Sequence, residues 1–275
     1  MSDPSSIRAA FRALHERGCF VIPNPWDRGS ALLLERLGFR ALASTSAGFA
    51  FSLGRPDAVT ALSRDEVLAH VRDLMLATGL PVNADFQDGY AGDPEGVARN
   101  VHLCVATGVA GLSIEDATGD PRRPLYDLSQ AVERLRAARE AIDRSGMDVL
   151  LTGRAECHLV GHPDPLPESI RRLRAYADAG ADVLYAPGPR DREAIRALVE
   201  AVAPKPVNVL VGSNTGLRVA DLAELGVRRV SVGSALSRVA WTAFRNAASA
   251  IAERGEFDGF DGLLSTGELS EVFGG

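Results

Sequence analysis

Acidic side chains recur in similar settings along this sequence: Asp85, followed by Gln87 and Asp88, in DFQDGYAG; Glu115 and Asp116 in SIEDATG; and Glu156, just after Arg154, in TGRAEC. Each group closes a short apolar run of the kind that makes a buried parallel strand. Carboxylates therefore converge on one rim if those strands lie side by side. With no cysteine or paired histidine among them, such a cluster suits a hard cation such as Mg²⁺, which takes few protein oxygens and keeps several waters. Without a cation, mutual repulsion raises the carboxyl pKa values. Either acid alone could simply cap the following helix, but Asp85 and Glu115 on adjacent strands favour the metal. Arg154 is the natural counter-ion for a substrate carboxylate, because guanidinium clamps it bidentately and stays charged when buried. A salt bridge to Glu115 or Glu156 is the alternative. The run Ser44, Thr45, Ser46, Ala47, Gly48 offers small residues that let backbone N–H groups approach an anion, or else a plain tight turn.

Other chemistry is less well supported. His158 and His162 are four apart but lie in a Gly- and Pro-containing loop, which speaks against a zinc pair, and Cys157 reads as a small buried residue. GSNTG and GSA follow the last two candidate strands, where many barrels bind phosphate, so a phosphorylated substrate stays open. Of 30 basic residues only Lys205 is a lysine, and it precedes a strand, on the face opposite the expected site. That leaves a Schiff-base mechanism without a nucleophile.

The elements that must position these residues follow from periodicity. Short apolar runs at 19–23, 40–45, 81–86, 110–115, 149–154, 182–187, 206–211 and 228–232 alternate with amphipathic helical stretches. Helix starts are marked by Ser63 with Glu66 as a capping box and by Asp93 before Pro94. Strand–helix alternation implies right-handed crossovers and a parallel sheet that closes into an α/β (β/α)₈ TIM barrel, with functional groups at the C-terminal ends of the strands. A doubly wound sheet is the runner-up, but PNPWDRGS after the first strand holds no dinucleotide fingerprint. Residues 1–275 read as a single barrel domain with a helical extension from about residue 234, which would pack on a neighbouring subunit or on its own barrel.

Composition narrows the partners. A net charge of −6, spread along the chain, offers no basic patch for nucleic acid. Three widely spaced cysteines fit a reducing cytoplasm, and no run is long and apolar enough for a membrane span or signal peptide. The protein reads as cytoplasmic.

Taken together, NPWDRGSA, GFRALASTSAGFAFSLGRPD, ADFQDGYAGDP, GLSIEDATGDPRRPLYD and PVNVLVG resemble the isocitrate lyase/phosphoenolpyruvate mutase superfamily over nearly the whole chain. The resemblance implies a modified barrel whose last helix is exchanged between subunits of a homodimer or homotetramer. It implies Mg²⁺ or Mn²⁺ at Asp85, with Gln87 and Glu115 ligating directly or through water. It further implies a 2-oxo acid substrate whose carboxylate is held by Thr45, Ser46, Ala47 and Arg154, with Asn208 of PVNVLVG joining the substrate-binding set, and Asp57 of GRPD available for acid–base work. The shared chemistry is C–C or P–C cleavage or formation beside an oxo acid through a metal-stabilised enolate.

Departures shape the expectation. Gln87 stands where the pattern has an acid, which weakens metal binding. The loop ATGDPRRPLYD lacks the Lys-Lys-x-Cys-Gly-His residues of the true lyases and the lysine and asparagine of the mutases, and Pro187 replaces a Glu. Oxaloacetate decarboxylase-like cleavage of a small 2-oxo dicarboxylate needs none of these and is the leading expectation. Cleavage of phosphonopyruvate or a methylisocitrate-like acid, and a barrel that only binds a 2-oxo acid such as 2-oxoglutarate or pyruvate, are the alternatives.

Overall fold

The computed structural model describes residues 4–274. Eight parallel strands, β1 (Phe20–Ile22), β2 (Leu42–Ala43), β3 (Val82–Asp85), β4 (Gly111–Glu115), β5 (Leu150–Arg154), β6 (Val183–Tyr185), β7 (Val207–Leu210) and β8 (Arg229–Ser231), pair in the order β1-β8-β7-β6-β5-β4-β3-β2. All eight lie inside the expected runs, and the sheet curls into a nearly closed barrel; the doubly wound alternative is excluded. No β1–β2 ladder forms. The seam is held instead by the Ala43 amide donating to Pro23 O at 3.0 Å and by the Asn24 side chain. The Asn24 amide nitrogen donates to Ser44 O, while its oxygen accepts from Val232 and Gly233 N–H.

Helix α1 (Pro4–Glu16) crosses the N-terminal end of the barrel. Its Phe11 packs with Phe20, Ile22, Ala41, Ala43, Ala110, Leu150 and Val183, and its Arg12 meets Asp148 and Asp182, which precede β5 and β6. Lys205 Nζ donates to Ala181 O at this same end, away from the expected site.

The outer layer comprises α2 (Arg28–Arg36), a short α3 (Ser46–Ser52), α4 (Arg64–Ala77), α5 (Pro94–Val105), α6 (Leu128–Arg144), α7 (Pro165–Asp178), α8 (Arg192–Val202) and α9 (Val219–Glu224). Ser63 and Glu66 form the capping box expected for α4, and Asp93 caps α5 with Pro94 in its first turn. Helix α10 (Ala235–Arg254) matches the expected extension; it leaves Val239, Trp241, Phe244 and Ile251 exposed. The tail beyond is more ordered than its Gly-rich composition suggests. A 3₁₀ turn (Asp258–Phe260) packs on α10, and α11 (Thr266–Phe273), started by a Ser265–Glu268 capping box, returns to α2. Among the described residues no helix is long and apolar enough to cross a membrane.

Candidate active site

Because strand side chains alternate, positions i and i+2 face the barrel axis together. This brings Asn83 and Asp85 of β3, Ser113 and Glu115 of β4, Arg154 of β5, Tyr185 of β6, Asn208 of β7, and Arg229 and Ser231 of β8 to one cavity of about 430 Å³. Thr45, Ser46, Ala47, Asp57, Gln87 and Glu156 complete its upper wall. Every residue expected to bind metal or substrate or to act in catalysis therefore lines it.

Arg154 is the hub of the cavity. Its Nη1 lies 3.0 Å from Glu115 and 3.3 Å from Asp85, its Nε donates to Glu156, and its guanidinium carbon sits 5.1 Å from the centre of the Tyr185 ring. The salt bridges weighed as an alternative to substrate binding are thus both present. Burial pushes the Glu115 carboxyl well above the ordinary carboxylate range against the pull of Arg154, with Glu156, Asp85 and Asp116 adding to the rise. Burial likewise raises Glu156. Burial opposes the Arg154 charge, but Glu115 and Glu156 more than offset it and raise the pKa.

Asp85 is fixed from the other side. Its Oδ2 accepts from the Ser46 N–H at 2.9 Å and the Ser46 hydroxyl at 2.8 Å, and its own N–H donates to Ser44 Oγ at 2.8 Å. The Ser44–Gly48 run is therefore a helix start, not a loose turn. Thr45 caps α3 by accepting from Gly48 N–H, and a Cβ on Gly48 would lie 2.6 Å from Thr45 Cγ2. Neither Asp85 nor Glu115 caps a following helix; Asp93 performs that role for α5.

Beyond β3 the backbone turns through left-handed conformations at Gln87 (φ 41°), Gly89 (φ 83°) and Tyr90 (φ 55°). Such φ values at non-glycine residues cost about 1–3 kcal/mol each and persist only where neighbours enforce them. Here Arg134 donates to Asp88 O and to Ala91 O, and Asn100 Nδ2 donates to Gly89 O and Tyr90 O. The turn leaves the Gln87 Oε1 buried with no hydrogen-bond partner.

The expected convergence of carboxylates needs one correction. Asp88 and Asp116 face away from the cavity. Asp88 pairs with Arg134 at 3.2 Å and accepts from Tyr126 Oη. Asp116 accepts from the Glu156 N–H, Arg172 and Tyr176, so it fixes the β5 exit from behind. The strand ends at Glu115, and its next residue lies on the opposite face. The remaining candidates also resolve: His162 accepts from Asp164 N–H while His158 lies against Gly188, so the pair does not converge, and burial pushes the Cys157 thiol up to about 11.

Asp57 stands on the exposed segment after α3, where the surrounding protein and then the Asp85 charge raise its carboxyl. Nearby, Val59 packs on Gly119, closing that segment against the β4 loop. The loop itself folds into a small hairpin through Ala117 and Leu125, and of it only Ala117 lines the cavity.

Asn83, Tyr185, Arg229 and Ser231 are cavity residues absent from the set drawn from sequence, whereas Glu156 takes its expected place on the rim. The signal was available: each β-strand residue among them occupies the inward period of a strand otherwise apolar.

The family model for phosphoenolpyruvate phosphomutase matches residues 11–252. The chain belongs to the phosphoenolpyruvate phosphomutase family. It is thus a lyase-type enzyme of the isocitrate lyase/phosphoenolpyruvate mutase superfamily. The fold is shared with a lyase/mutase candidate of Burkholderia cenocepacia J2315, with a TM-score of 0.95 and 46% identity over 99% of this chain and 98% of that one. Oxaloacetate acetylhydrolase, solved with its product oxalate, superposes with a TM-score of 0.87 at 30% identity over 99% and 96% of the two chains. The oxaloacetate decarboxylase of Paraburkholderia xenovorans strain LB400 is 31% identical over 84% of this chain and 77% of its own length.

Proposed function

We propose that this enzyme decarboxylates a small 2-oxo dicarboxylate of the oxaloacetate type, breaking the bond between the far carboxylate and the carbon next to the 2-oxo group, with Mg²⁺ or Mn²⁺ as cofactor. The observation that carries the reading is the orphaned Gln87 oxygen beside Asp85 and Glu115, in a cavity that also holds Arg154. An acceptor buried without a donor is costly, and a cation is the partner that an all-oxygen set of two carboxylates and an amide suits. Among the described residues no three His, Cys, Asp or Glu side chains form a metal group by themselves, so the Gln87 amide and waters would have to complete the shell. A cation held there would polarise the 2-oxo group and offset charge developing on its oxygen.

The chain's own groups supply the rest. Arg154 carries donors beyond those engaged by Glu115, Asp85 and Glu156, and these take a substrate carboxylate. Ser46 holds Asp85 in place, and the segment bearing Asp57 closes the cavity against water. Of the β4 loop only Ala117 lines the cavity, which favours decarboxylation over lyase chemistry, and the two oxaloacetate-acting relatives support the same substrate class. The exposed apolar side chains of α10 favour a homodimer or homotetramer assembled through that helix.

The test is turnover of a panel of 2-oxo acids, phosphonopyruvate and 2-methylisocitrate with Mg²⁺ and then with EDTA. The proposal expects metal-dependent CO₂ release from oxaloacetate or a close homologue. Turnover of phosphonopyruvate or 2-methylisocitrate alone, or undiminished activity in EDTA, would overturn it.

A further inference from the structure

The turn after β3 sets Gln87 in the cavity wall, and its backbone is pinned to the next strand: Gln87 O accepts from the Glu115 N–H at 2.8 Å. The amide and the Glu115 carboxylate are thereby held in one frame. That frame includes two strained residues, since left-handed φ values at Gln87 (41°) and Tyr90 (55°) persist only where neighbours enforce them. Asp88 closes the turn from within, its Oδ1 accepting from the Tyr90 N–H at 2.9 Å.

What fixes Asp88 comes from outside the turn. Arg134 of α6 is 2% exposed, and a single nitrogen, Nη2, donates to Asp88 O, to Asp88 Oδ2 at 3.2 Å and to Ala91 O at 2.8 Å. It grips the chain on both sides of Gly89 and Tyr90. The Tyr126 hydroxyl, at the root of the β4 loop, donates to the same Asp88 Oδ2 at 3.0 Å, and the Arg134 guanidinium carbon sits 4.1 Å from the centre of the Tyr126 ring. Asp88 faces away from the cavity, so the grip lies behind the wall that Gln87 lines.

We propose that Arg134 is a positioning residue for the metal site: by gripping Asp88 and Ala91 it keeps the turn left-handed and so holds the Gln87 oxygen near Asp85 and Glu115. The inference rests on the metal reading above. A neutral amide attracts a cation less than a carboxylate does, so its contribution depends on being in place beforehand, which is what a partner behind a ligand supplies. Without Arg134 the Asp88 charge is left buried and the strained residues relax toward ordinary backbone. The Gln87 amide then leaves its place, and two carboxylates face the cation without it. Arg134 acts on metal affinity through Gln87, not on the substrate.

The experiment titrates the metal-free full chain with Mg²⁺ by calorimetry, below the thermal midpoint of each variant. It compares wild type, Arg134→Met, Gln87→Ala, Tyr126→Phe and the combinations of each of the first and last substitutions with Gln87→Ala. Arg134→Met is expected to weaken Mg²⁺ binding about tenfold or more. Tyr126→Phe, which removes one bond to Asp88, is expected to weaken it about threefold. Because Arg134 works through Gln87, adding Arg134→Met to Gln87→Ala should cost less than about threefold further. An affinity of folded Arg134→Met within about threefold of wild type, or losses that multiply in full in the double variant, overturns the proposal and leaves the metal reading standing. A wild type that binds neither Mg²⁺ nor Mn²⁺ overturns the metal reading and this proposal with it. Should Arg134→Met not fold, Tyr126→Phe decides: unchanged affinity sinks the grip on Asp88, and a loss that disappears in the Gln87→Ala background supports it.

Discussion

The two ends of the barrel are made by the same eight strands and obey opposite rules. At the N-terminal end, Phe11, Phe20, Leu150 and Val183 are sealed under α1, and the charges of Arg12 and Asp148 lie outside in water. At the C-terminal end, Glu115 and Glu156 are buried, Arg154 is half-buried and Gln87 Oε1 has no partner. One end is arranged for stability, whereas the other gives up stability for charge that a ligand would complete. Between them lies the Arg229 layer, polar but fully hydrogen-bonded, where the two regimes meet.

This contrast can be broken at either end. The largest effect is expected for Asp85→Ala, which should cut metal-dependent turnover at least about 1,000-fold while the thermal midpoint of the metal-free protein moves by no more than a few degrees. A coupled loss of fold, seen by calorimetry, would mean that the rim is structural. Phe11→Ala should do the reverse. Removing this fully buried ring costs about 3–5 kcal/mol of stability, read from urea melts, and leaves kcat of the folded enzyme unchanged.

Smaller effects sharpen the contrast. Because the fold raises the Glu115 carboxyl above its unfolded value, this residue favours the metal-free fold at low pH, and that stability is lost as pH rises from the ordinary carboxylate value toward the raised one. Metal binding runs the other way, since the ligand must be ionised. Mg²⁺ affinity by calorimetry should therefore fall by up to about tenfold per pH unit as Glu115 takes up its proton, and Glu115→Gln should flatten that slope. Smallest is Arg12→Ala: its pair with Asp148 is 40% and 50% exposed, and the change should cost no more than about 1 kcal/mol, with no effect on turnover.

Much of the fold was legible because each strand is a short apolar run between helix signals such as the Ser63–Glu66 box. The tail was less so. Its helix α11 is brief, and its capping box sits among glycines that read as loop. In the site, Asp85, Glu115 and Arg154 were legible as polar residues at strand ends. Asp116 was misplaced because one step past a strand reverses the side chain, and Asp88 because the left-handed turn after β3 sends it to Arg134; sequence marks neither. Tyr185 and Arg229 were missed for a different reason: attention to strand ends overlooks the inward residues one layer down, where tyrosine and arginine resemble core and surface residues. Gln87 gained its weight only from a φ of 41° and an oxygen left alone.

The seam between β1 and β2 gives the chain a timetable. Asn24 closes it by binding Ser44 O, which is made almost at once, and the N–H groups of Val232 and Gly233, which come more than two hundred residues later. Contacts so remote in sequence are slow to form and leave partly built sheet exposed meanwhile. During synthesis the barrel must therefore wait, open along one edge, until β8 has left the ribosome. A single asparagine then records that the last strand has arrived.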